Sequence, residues 1–571
     1  MRDKSTITDG FFVLDAGMNS GSAPNILPKN QCAFMCNVTT RGGFPRTRPL
    51  YDNISLNFQG EEEFQTWFMT HSISGWGYYR ASNGSPLLVC CCGGRFFSFK
   101  IANGSAKVSD ISPANDRNVQ YLTKTWFCQA AQYLIAQNGH DAAYIFDGSS
   151  GKRATAGQVP VGKQMAYING RLFVVLPDGR QIAPGDLAYV TPTSVIEFTE
   201  INRSAAEGGQ PLQIPIEDGQ IKALIATAQM DTTAGQGTLL AVTAKSVTSF
   251  NAIIQRSRWP SITLESIALV GNGFVSDLAI VNGDVWGRAS DGWRSYVMAR
   301  REFSQWGNRP QSHEIERILE LESPQLISHE SFAYFDNRLL GTCTPMEDPR
   351  GGGVYHKGIL ALNFENISSI TETSNPAYDG LWTGINPWGL VTGEVEGYDR
   401  CFAFCRNVDG SNSLWEITSR FGEDDESSPI QAFIETRSFT FDKPAIWKSL
   451  DGFEMWIDEL RGSVDFDIKY RPDQYPCWFD WATRNECATL ADCNALNEFG
   501  CQEGTTYRPQ YRPRMAFGLP EAECIDSLGI KSDRGYEFQT RIQWTGNIRL
   551  KAFLLYANQQ DPEPLVLCPN S

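Results

Sequence analysis

The sequence has 571 residues, of which 42% are hydrophobic and 20% are charged, and its formal net charge is −16. This is an ordinary globular composition, long enough for about two to four domains, and its acidity argues against non-specific coating of DNA. No run reaches the roughly 18 to 20 apolar residues of a membrane helix, and "FFVL" near the start is too short for a signal peptide, so we expect neither a membrane span nor a secretion signal.

Residues 1–60 are predicted to form an arm that leads into the main fold. The arm contains "RGGFPRTRP" (41–49), in which two glycines and two prolines predict a turn followed by extended chain. Its arginines could form a positively charged segment that binds nucleic acid, or they could pair with carboxylates of this or a neighbouring subunit. From the residues alone, both interpretations stay open.

Residues 61–422 repeat a simple unit of a turn, an apolar strand, a second turn and another strand. Turns in "INGRLFVV", "VNGDVWGR", "FDNRLLGT" and "GYDRCFAF" line up, and roughly seven hairpins recur at intervals of about 40 to 65 residues. A lone four-stranded sheet leaves its faces and edges uncovered, whereas radial packing covers them. The pattern therefore predicts an all-β protein with a β-propeller of six or seven blades.

Tryptophans supply bulk for packing between the predicted blades. We expect these side chains to be core residues: Trp67, Trp76, Trp126, Trp286, Trp293, Trp306, Trp382, Trp388 and Trp415.

The repeats stop near "FGEDDESSP" (421–429), an acidic, polar run closed by proline that is typical of a linker. Residues 430–571 then show longer strands with clear alternation, as in "SVDFDIKY", and predict a C-terminal β-sandwich. A cysteine-rich insert at about 477–524 interrupts it. This boundary predicts that a chain ending before Ile430 folds by itself.

The fifteen cysteines match no zinc-binding spacing. "CCC" (90–92) and "CFAFC" (401–405) are typical of buried strand residues, so we expect mostly free buried thiols. Disulfides formed after release into an oxidising medium, or a metal site, are the alternatives.

No motif in the sequence indicates catalysis. The five histidines show no metal-ligand spacing, and neither a GxSxG elbow nor a GxxxxGK[ST] phosphate loop is present. "ASDGWRSY" has the wrong spacing for a sialidase Asp box. We therefore predict that the chain is not an enzyme and has no catalytic, metal-binding or cofactor-binding residues. Arginine next to aromatic residues, as in three "YRP" triplets, favours protein interfaces over bases or sugars.

Three segments together carry a family resemblance: "NVTTRGGFPRTRP" (37–49), "VNGDVWGRASDGWRSY" with "ARREFSQWGNRPQSHEI" (281–315), and "RSFTFDKPAIWKSLDGFEMWIDELRGSVDFDIKYRPDQYPCW" (437–478). They resemble the propeller-containing tail proteins of tailed bacteriophages, including nozzle and head–tail stabilisation proteins of short-tailed viruses. In this resemblance the segment 41–49 leads the arm into the propeller, and its arginines pair with carboxylates of this or a neighbouring subunit, so Arg41, Arg46 and Arg48 are predicted interface residues. The resemblance implies a structural virion protein, made in the bacterial host cytoplasm and located in the tail or neck. It also implies a homo-oligomeric ring, hexameric in that family, around the DNA exit channel. The expected partners are other tail, adaptor or fibre proteins, and genomic DNA that passes without sequence-specific binding.

Two other functions remain open at the level of sequence. The chain could be a carbohydrate- or receptor-binding propeller of a phage tail, or a glycosidase, holding sugar against exposed Trp and Tyr side chains. It could also be a bacterial adhesion or scaffold propeller unrelated to phage.

Overall fold

The computed structural model is an all-β protein, with 52% of residues in strands and 8% in helices. It describes residues 6–560 apart from positions 115, 188–195, 228–238, 251–254, 262–264, 268–272, 297–309, 366–375, 422–428, 488–513, 521 and 526–529. The predicted linker and most of the cysteine-rich insert, including the second and third "YRP" triplets, lie outside the described residues.

The N-terminal arm consists of short strands that pair with distant parts of the chain. Its strands are β1 (Thr6–Phe11), β2 (Cys32–Cys36), β3 (Val38–Thr39), β4 (Arg46–Thr47), β5 (Tyr51–Asn53) and β6 (Ser55–Asn57). Helix α1 (Glu62–Thr70) follows them. Strands β3 and β4 form a small hairpin.

Seven antiparallel sheets follow, which we number as blades I to VII. The first three consist of β6 with β7 (Ile73–Arg80), β8 (Pro86–Cys92), β9 (Arg95–Ala102) and β10 (Ser105–Asp110) in blade I; β11 (Trp126–Ala130), β12 (Tyr133–Gln137), β13 (Tyr144–Phe146) and β14 (Gly151–Arg153) in blade II; and β15 (Met165–Ile168), β16 (Arg171–Val175), β17 (Gln181–Pro184) and β18 (Leu212–Gln213) in blade III. Within blade I the added strand β6 runs parallel to β10.

The remaining blades complete the ring. They consist of β19 (Ile221–Ala226), β20 (Leu239–Thr243), β21 (Val247–Phe250) and β22 (Glu265–Ile267) in blade IV; β23 (Leu278–Val281), β24 (Asp284–Ala289) and β25 (Gly292–Ser295) in blade V; β26 (Phe332–Phe335), β27 (Arg338–Glu347), β28 (Val354–Asn363) and β29 (Ala377–Trp382) in blade VI; and β30 (Pro387–Val395), β31 (Tyr398–Arg406), β32 (Asn412–Ile417) and β5 in blade VII. Blade VII is thus completed by a strand from the N-terminal arm.

Each blade packs on the next through apolar side chains, and the last packs on the first. Each hydrophobic cluster contains residues of two neighbouring blades: Phe96 and Leu134 (I–II), Ile135 and Leu172 (II–III), Phe173 and Leu239 (III–IV), Val242 and Val285 (IV–V), Trp293 and Leu339 (V–VI), Leu340 and Ala403 (VI–VII), and Phe404 and Phe99 (VII–I). The sheets therefore form a closed propeller.

The prediction of an all-β propeller is confirmed. Among the described residues, six blades hold four strands or more and blade V holds three, in agreement with the predicted six or seven blades. Four of the predicted core tryptophans, Trp286, Trp293, Trp382 and Trp388, are buried. Another four are partly buried: Trp67, Trp76, Trp126 and Trp415. Trp306 lies outside the described residues.

The helices in the described ranges are short. Besides α1, those given with both ends are α2 (Glu316–Leu319) and the 3-10 segments Thr199–Asn202, Ala205–Glu207, Ile216–Asp218, Arg256–Ser261, His313–Ile315 and Ile327–His329.

A long two-stranded ribbon organises the C-terminal part. The strands are β33 (Gln431–Thr436), β34 (Lys448–Pro472), β35 (Phe479–Cys487), β36 (Arg514–Phe517), β37 (Cys524–Ile525), β38 (Ile530–Lys531), β39 (Arg534–Gly535) and β40 (Phe538–Gln559). Strands β34 and β40 pair along almost their whole length, with register shifts near their middle. One half carries β1 and β36 as neighbours and the other carries β33 and β35, and side chains of both halves, such as Phe453 and Ile468, share one hydrophobic core.

The arm connects the propeller and the C-terminal sheet. Strand β1 pairs with β40, and β2 lies between β29 of blade VI and β33. Strand β4 also contacts β40. Blade VI and the C-terminal strands thus belong to one continuous sheet.

Candidate functional site

The arginine segment lies where the arm, blade VI and the C-terminal sheet meet. Gly42 and Gly43 have φ values of 79° and 81°, a left-handed conformation that glycine adopts without steric cost. They form the turn between β3 and β4, in which Thr39 pairs with Arg46. The turn followed by extended chain is therefore present as the sequence predicted.

Arg48 is buried, with 1% of its surface exposed. Its Nε donates to Oδ1 of Asn37 at 3.0 Å, while its Nη1 and Nη2 donate to the carbonyls of Pro49 at 2.8 Å and Thr383 at 2.9 Å. Its guanidinium also lies 3.6 Å from the ring centre of Tyr51 in β5. This side chain fixes the arm against the loop after blade VI.

Arg46 is also buried and faces the C-terminal sheet. Its Nη2 lies 3.7 Å from Oε1 of Glu459 in β34, and its guanidinium lies 3.5 Å from the ring centre of Phe421. Both side chains of this ion pair are less than a tenth exposed, so the pair acts in the interior of the chain.

Arg41 is partly exposed and contacts blade VI. Its Nη1 lies 2.7 Å from Oδ2 of Asp336, and its Nε lies 3.8 Å from Oε2 of Glu365. All three arginines thus contact residues of their own chain, which favours an internal framework over the predicted subunit interface. Arg41 alone of the three retains appreciable exposed surface, so an interface role stays a prediction chiefly for that residue.

Asp379, which the sequence analysis did not single out, holds the arm against blade VI. Its fully buried carboxylate accepts hydrogen bonds from Oγ1 of Thr39 at 2.6 Å and from the backbone N–H of Thr40 at 3.0 Å. It also accepts one from Nε of Arg338 at 2.9 Å. A single Asp in "NPAYDG" gives no local signal of this role, because its partners lie about forty and more than three hundred residues away.

Two buried carboxyl groups lie between blades V and VI. Arg288 lies 3.3 Å from Glu322 and 3.5 Å from Glu330, and both Glu side chains are 0% exposed. Burial raises the pKa of both carboxyl groups, and Glu322 raises that of Glu330 further. One guanidinium balances one carboxylate, so ionisation of both carboxyl groups together is disfavoured. Since neither group reaches solvent, we assign the pair to the packing between blades.

The histidines do not meet at one site. His71 stacks on Trp67 with ring centres 4.0 Å apart, and His313 pairs with Glu316 at 2.9 Å. Burial lowers the pKa of His329 to about 4 and of His356 to about 3, so both are neutral at physiological pH. Within the described ranges, no group of three His, Cys, Asp or Glu side chains is arranged to hold a metal ion.

Ten cysteines in the described part of the chain are free thiols, most of them buried. Burial raises the pKa of Cys90, Cys91 and Cys92, which disfavours the reactive thiolate. For these residues the prediction of free buried thiols is confirmed.

An open cavity of about 800 Å³ lies among the first strands of blades IV to VII. Ile225, Leu278 and Ile280 give it an apolar wall, while Asp336 and Asp399 lie on its polar side. Because Asp336 already pairs with Arg41 and Arg338, its carboxylate is engaged within the chain.

No protein-family model and no curated protein matches the chain. Among solved structures, the extracellular domain of a hybrid two-component system of B. thetaiotaomicron is 13% identical, with a TM-score of 0.34 over 73% of this chain and 45% of that one. The computationally designed Ika8 protein is 10% identical, with a TM-score of 0.32 over 64% of this chain and all of its own. The CNH domain of AfRom2 is 9% identical, with a TM-score of 0.26. We draw no functional conclusion from these low scores.

None of the helices in the described part of the chain combines the length and the apolar character needed to cross a bilayer.

Proposed function

We propose that this chain is a structural subunit of a tailed bacteriophage particle, a nozzle or hub component or a head–tail stabilisation component around the DNA exit channel. The observation that carries the proposal is the way the N-terminal arm binds the propeller and the C-terminal sheet into one unit. Such a construction suits a load-bearing part, and the sequence resemblance points to the same class of protein.

The arm resists opening of the propeller at several places at once. Strand β5 completes blade VII through the pairs Tyr51–Ile417, Asp52–Glu416 and Asn53–Trp415. Arg48 and Asp379 then hold the arm through buried hydrogen bonds, which are costly to break because their partners would remain unsatisfied. Separating blade VI or blade VII from the ring therefore requires the loss of contacts contributed by the N-terminal arm.

The distribution of charge supports passage of DNA without binding. Many arginines are buried, including Arg46, Arg48, Arg171, Arg256, Arg288, Arg294, Arg338 and Arg437. Several of them pair with carboxylates of the same chain, as Arg338 does with Asp379 and Arg437 does with Asp9. The whole chain carries a net charge of −16, and an acidic surface repels phosphate within about 8 Å at physiological ionic strength.

Labelling of particles tests the proposed location. Antibodies raised against the full-length chain should label the tail or neck of tailed particles in electron micrographs of lysates from cells that express the gene. Label confined to the cell surface would contradict the proposal and favour the adhesion or scaffold alternative.

Assembly and DNA binding of the purified chain test the proposed mode of action. Mass photometry should detect a closed oligomer, a hexamer if the family resemblance holds, when concentration is raised or a tail or adaptor partner is added. A 200-bp DNA duplex should not shift in gel electrophoresis even at low salt. Tight, salt-sensitive DNA binding would contradict the proposed passive channel wall.

A further inference from the structure

A cavity on the outer part of blade I is separate from the arginine segment and from the proposed assembly role. It has a volume of about 540 Å³, within the range of roughly 300 to 1,000 Å³ typical of small-molecule sites. Helix α1 forms one wall with Glu63 and Phe64, and the chain following β10 forms the opposite wall. The helix is fixed by Phe68, whose buried ring packs on Phe97 at 5.7 Å and Phe99 at 5.5 Å.

Arg95 is held rigidly in this cavity. Its Nη2 lies 3.0 Å from Glu63 and its Nη1 lies 3.2 Å from Asp110, and its guanidinium lies 4.8 Å from the ring centre of Trp67. The Trp67 ring is itself fixed, because its Nε1 donates to the Cys92 carbonyl at 3.0 Å. A ligand would therefore meet polar groups that are already oriented, which lowers the entropic cost of binding.

The opposite wall is fixed in a similar way. Nε of Arg153 donates to Asp116 at 2.8 Å, and Oγ of Ser112 accepts a hydrogen bond from the backbone N–H of Phe96 at 2.9 Å. Pro113 and Ala114 add a small apolar surface beside these polar groups. The cavity wall thus contains both hydrogen-bond donors and hydrogen-bond acceptors.

The presence of both donors and acceptors in the cavity wall indicates which class of ligand would fit. A hydroxyl both donates and accepts hydrogen bonds, so a polyhydroxylated ring satisfies carboxylates and guanidinium groups together, while its C–H faces fit Phe64, Pro113 and Ala114. A simple phosphate is disfavoured because Glu63, Asp110 and Asp116 place three carboxylates in the wall. An apolar ligand would displace water from these charged groups without offering them further hydrogen bonds.

Arg117 adds a preference for one negative charge on that ring. Its guanidinium lies 4.8 Å from the Trp67 ring centre at the edge of the cavity, and no carboxylate of the described residues forms an ion pair with it. Two planar N–H groups match the geometry of a carboxylate. We propose that this cavity binds a hexuronate, a six-membered sugar ring bearing a carboxylate, with Arg117 contacting that carboxylate and Arg95 with Glu63 and Asp110 contacting the hydroxyls.

Binding of defined sugars to the full-length chain tests this site. Saturation-transfer NMR and calorimetry should detect D-glucuronate or D-galacturonate, bound more tightly than the matched neutral sugars D-glucose and D-galactose. Acetate alone should not compete. Failure of both uronates to bind better than acetate would overturn the proposal, whereas the location of the protein in a particle has no bearing on this result.

Variants at two exposed arginines and at the half-buried Phe64 separate the roles of these side chains in binding. Arg117→Ala should weaken uronate binding about ten-fold or more, the typical value of a charge-assisted hydrogen bond, and leave neutral sugars unaffected. Phe64→Ala should weaken both kinds of sugar. Arg317→Ala, which removes an exposed arginine from α2 outside the cavity, is the matched control and should change nothing. Equal effects of Arg117→Ala and Arg317→Ala on uronate affinity, at unchanged melting temperatures, would show that the cavity is not the site.

Discussion

Arg48 stabilises the fold through buried hydrogen bonds, a role that its charge alone does not indicate. In the sequence it belongs to a basic run, which is compatible with an exposed contact for DNA or for another subunit. In the structure it is 1% exposed and donates to Asn37, Pro49 and Thr383. Removing it would leave buried carbonyl groups without a donor, and such groups are costly in the interior.

We expect Arg48→Met to lower the free energy of unfolding of the isolated chain by about 3 kcal/mol, because several buried hydrogen bonds are lost together. Arg41→Ala, which breaks a partly exposed pair with Asp336, should cost about 1 kcal/mol or less. Urea unfolding of the two variants and the parent measures both values. Unchanged stability of the Arg48 variant, combined with loss of oligomers, would instead favour the interface that the sequence predicted.

His356 makes the stability of the folded chain depend on pH, and its pKa determines the direction of that dependence. Burial lowers its pKa from 6.5 to about 3, so the unfolded chain takes up a proton below pH 6.5 while the folded chain does not. Stability is therefore complete above pH 6.5 and falls as pH falls. Between pH 7 and pH 5, the free energy of unfolding of the parent should fall by about 2 kcal/mol more than that of His356→Leu. Thermal or urea unfolding at both pH values checks this, with His140→Ala, at an exposed position, as the control. Equal pH dependence of parent and His356→Leu would contradict the assignment.

At the scale of elements, blades VII and I meet through glycines that leave room for aromatic rings. A Cβ atom on Gly389 would lie 1.9 Å from Cε2 of Trp76, and one on Gly393 would lie 2.2 Å from Cδ2 of Tyr78. The aromatic side chains of β7 thus pack directly on the backbone of β30. These glycines are required by the space between two blades and not by an unusual φ angle.

We expect Gly389→Ala to lower the free energy of unfolding by about 2 to 3 kcal/mol, because the added methyl group overpacks the contact with Trp76. Gly518→Ala is the control, since nothing lies within 4 Å of a Cβ atom there. Urea unfolding should show the loss in the first variant only, and Trp76→Leu in the same chain should restore part of it. A tolerated Gly389→Ala would mean that blade I can shift away from blade VII at little cost.

The local elements were largely predictable from the sequence, but their long-range pairings were not. The turns in "INGRL", "VNGDV" and "FDNRL" do place Asn169, Asn282 and Asn337 at φ values of 52°, 49° and 55°, as tight hairpins require. In contrast, period-2 alternation does not specify a partner strand, so the pairing of β1 with β40 and of β5 with β32 could not be foreseen. The same limit applies to the arginines: their spacing was visible, but Thr383, whose carbonyl accepts a hydrogen bond from Arg48, lies more than three hundred residues away in the sequence.

At the scale of the whole molecule, the boundary predicted before Ile430 does not separate two independent cores. One hydrophobic cluster contains Phe11 and Met35 of the arm, Trp293 of blade V, and Phe453 and Phe553 of the C-terminal ribbon. Blade VI and the ribbon also share a sheet through β2. The change of sequence pattern near residue 422 marks a change of strand length and not an end of the core.

We therefore expect a chain truncated after residue 429 to aggregate, or to melt well below the full-length protein. The truncation removes the partner of β1 and one of the two neighbours of β2, and it exposes the apolar side chains of the shared cluster. A second truncation that also lacks residues 1–36 should be more soluble than the first, because it removes the arm strands β1 and β2 while keeping Arg48 and β5 in blade VII. Sedimentation and thermal melting of both fragments against the full chain measure these effects. If the fragment ending at residue 429 stays monomeric and melts as cooperatively as the full protein, the propeller is an independent domain, and the arm stabilises the C-terminal ribbon without depending on it.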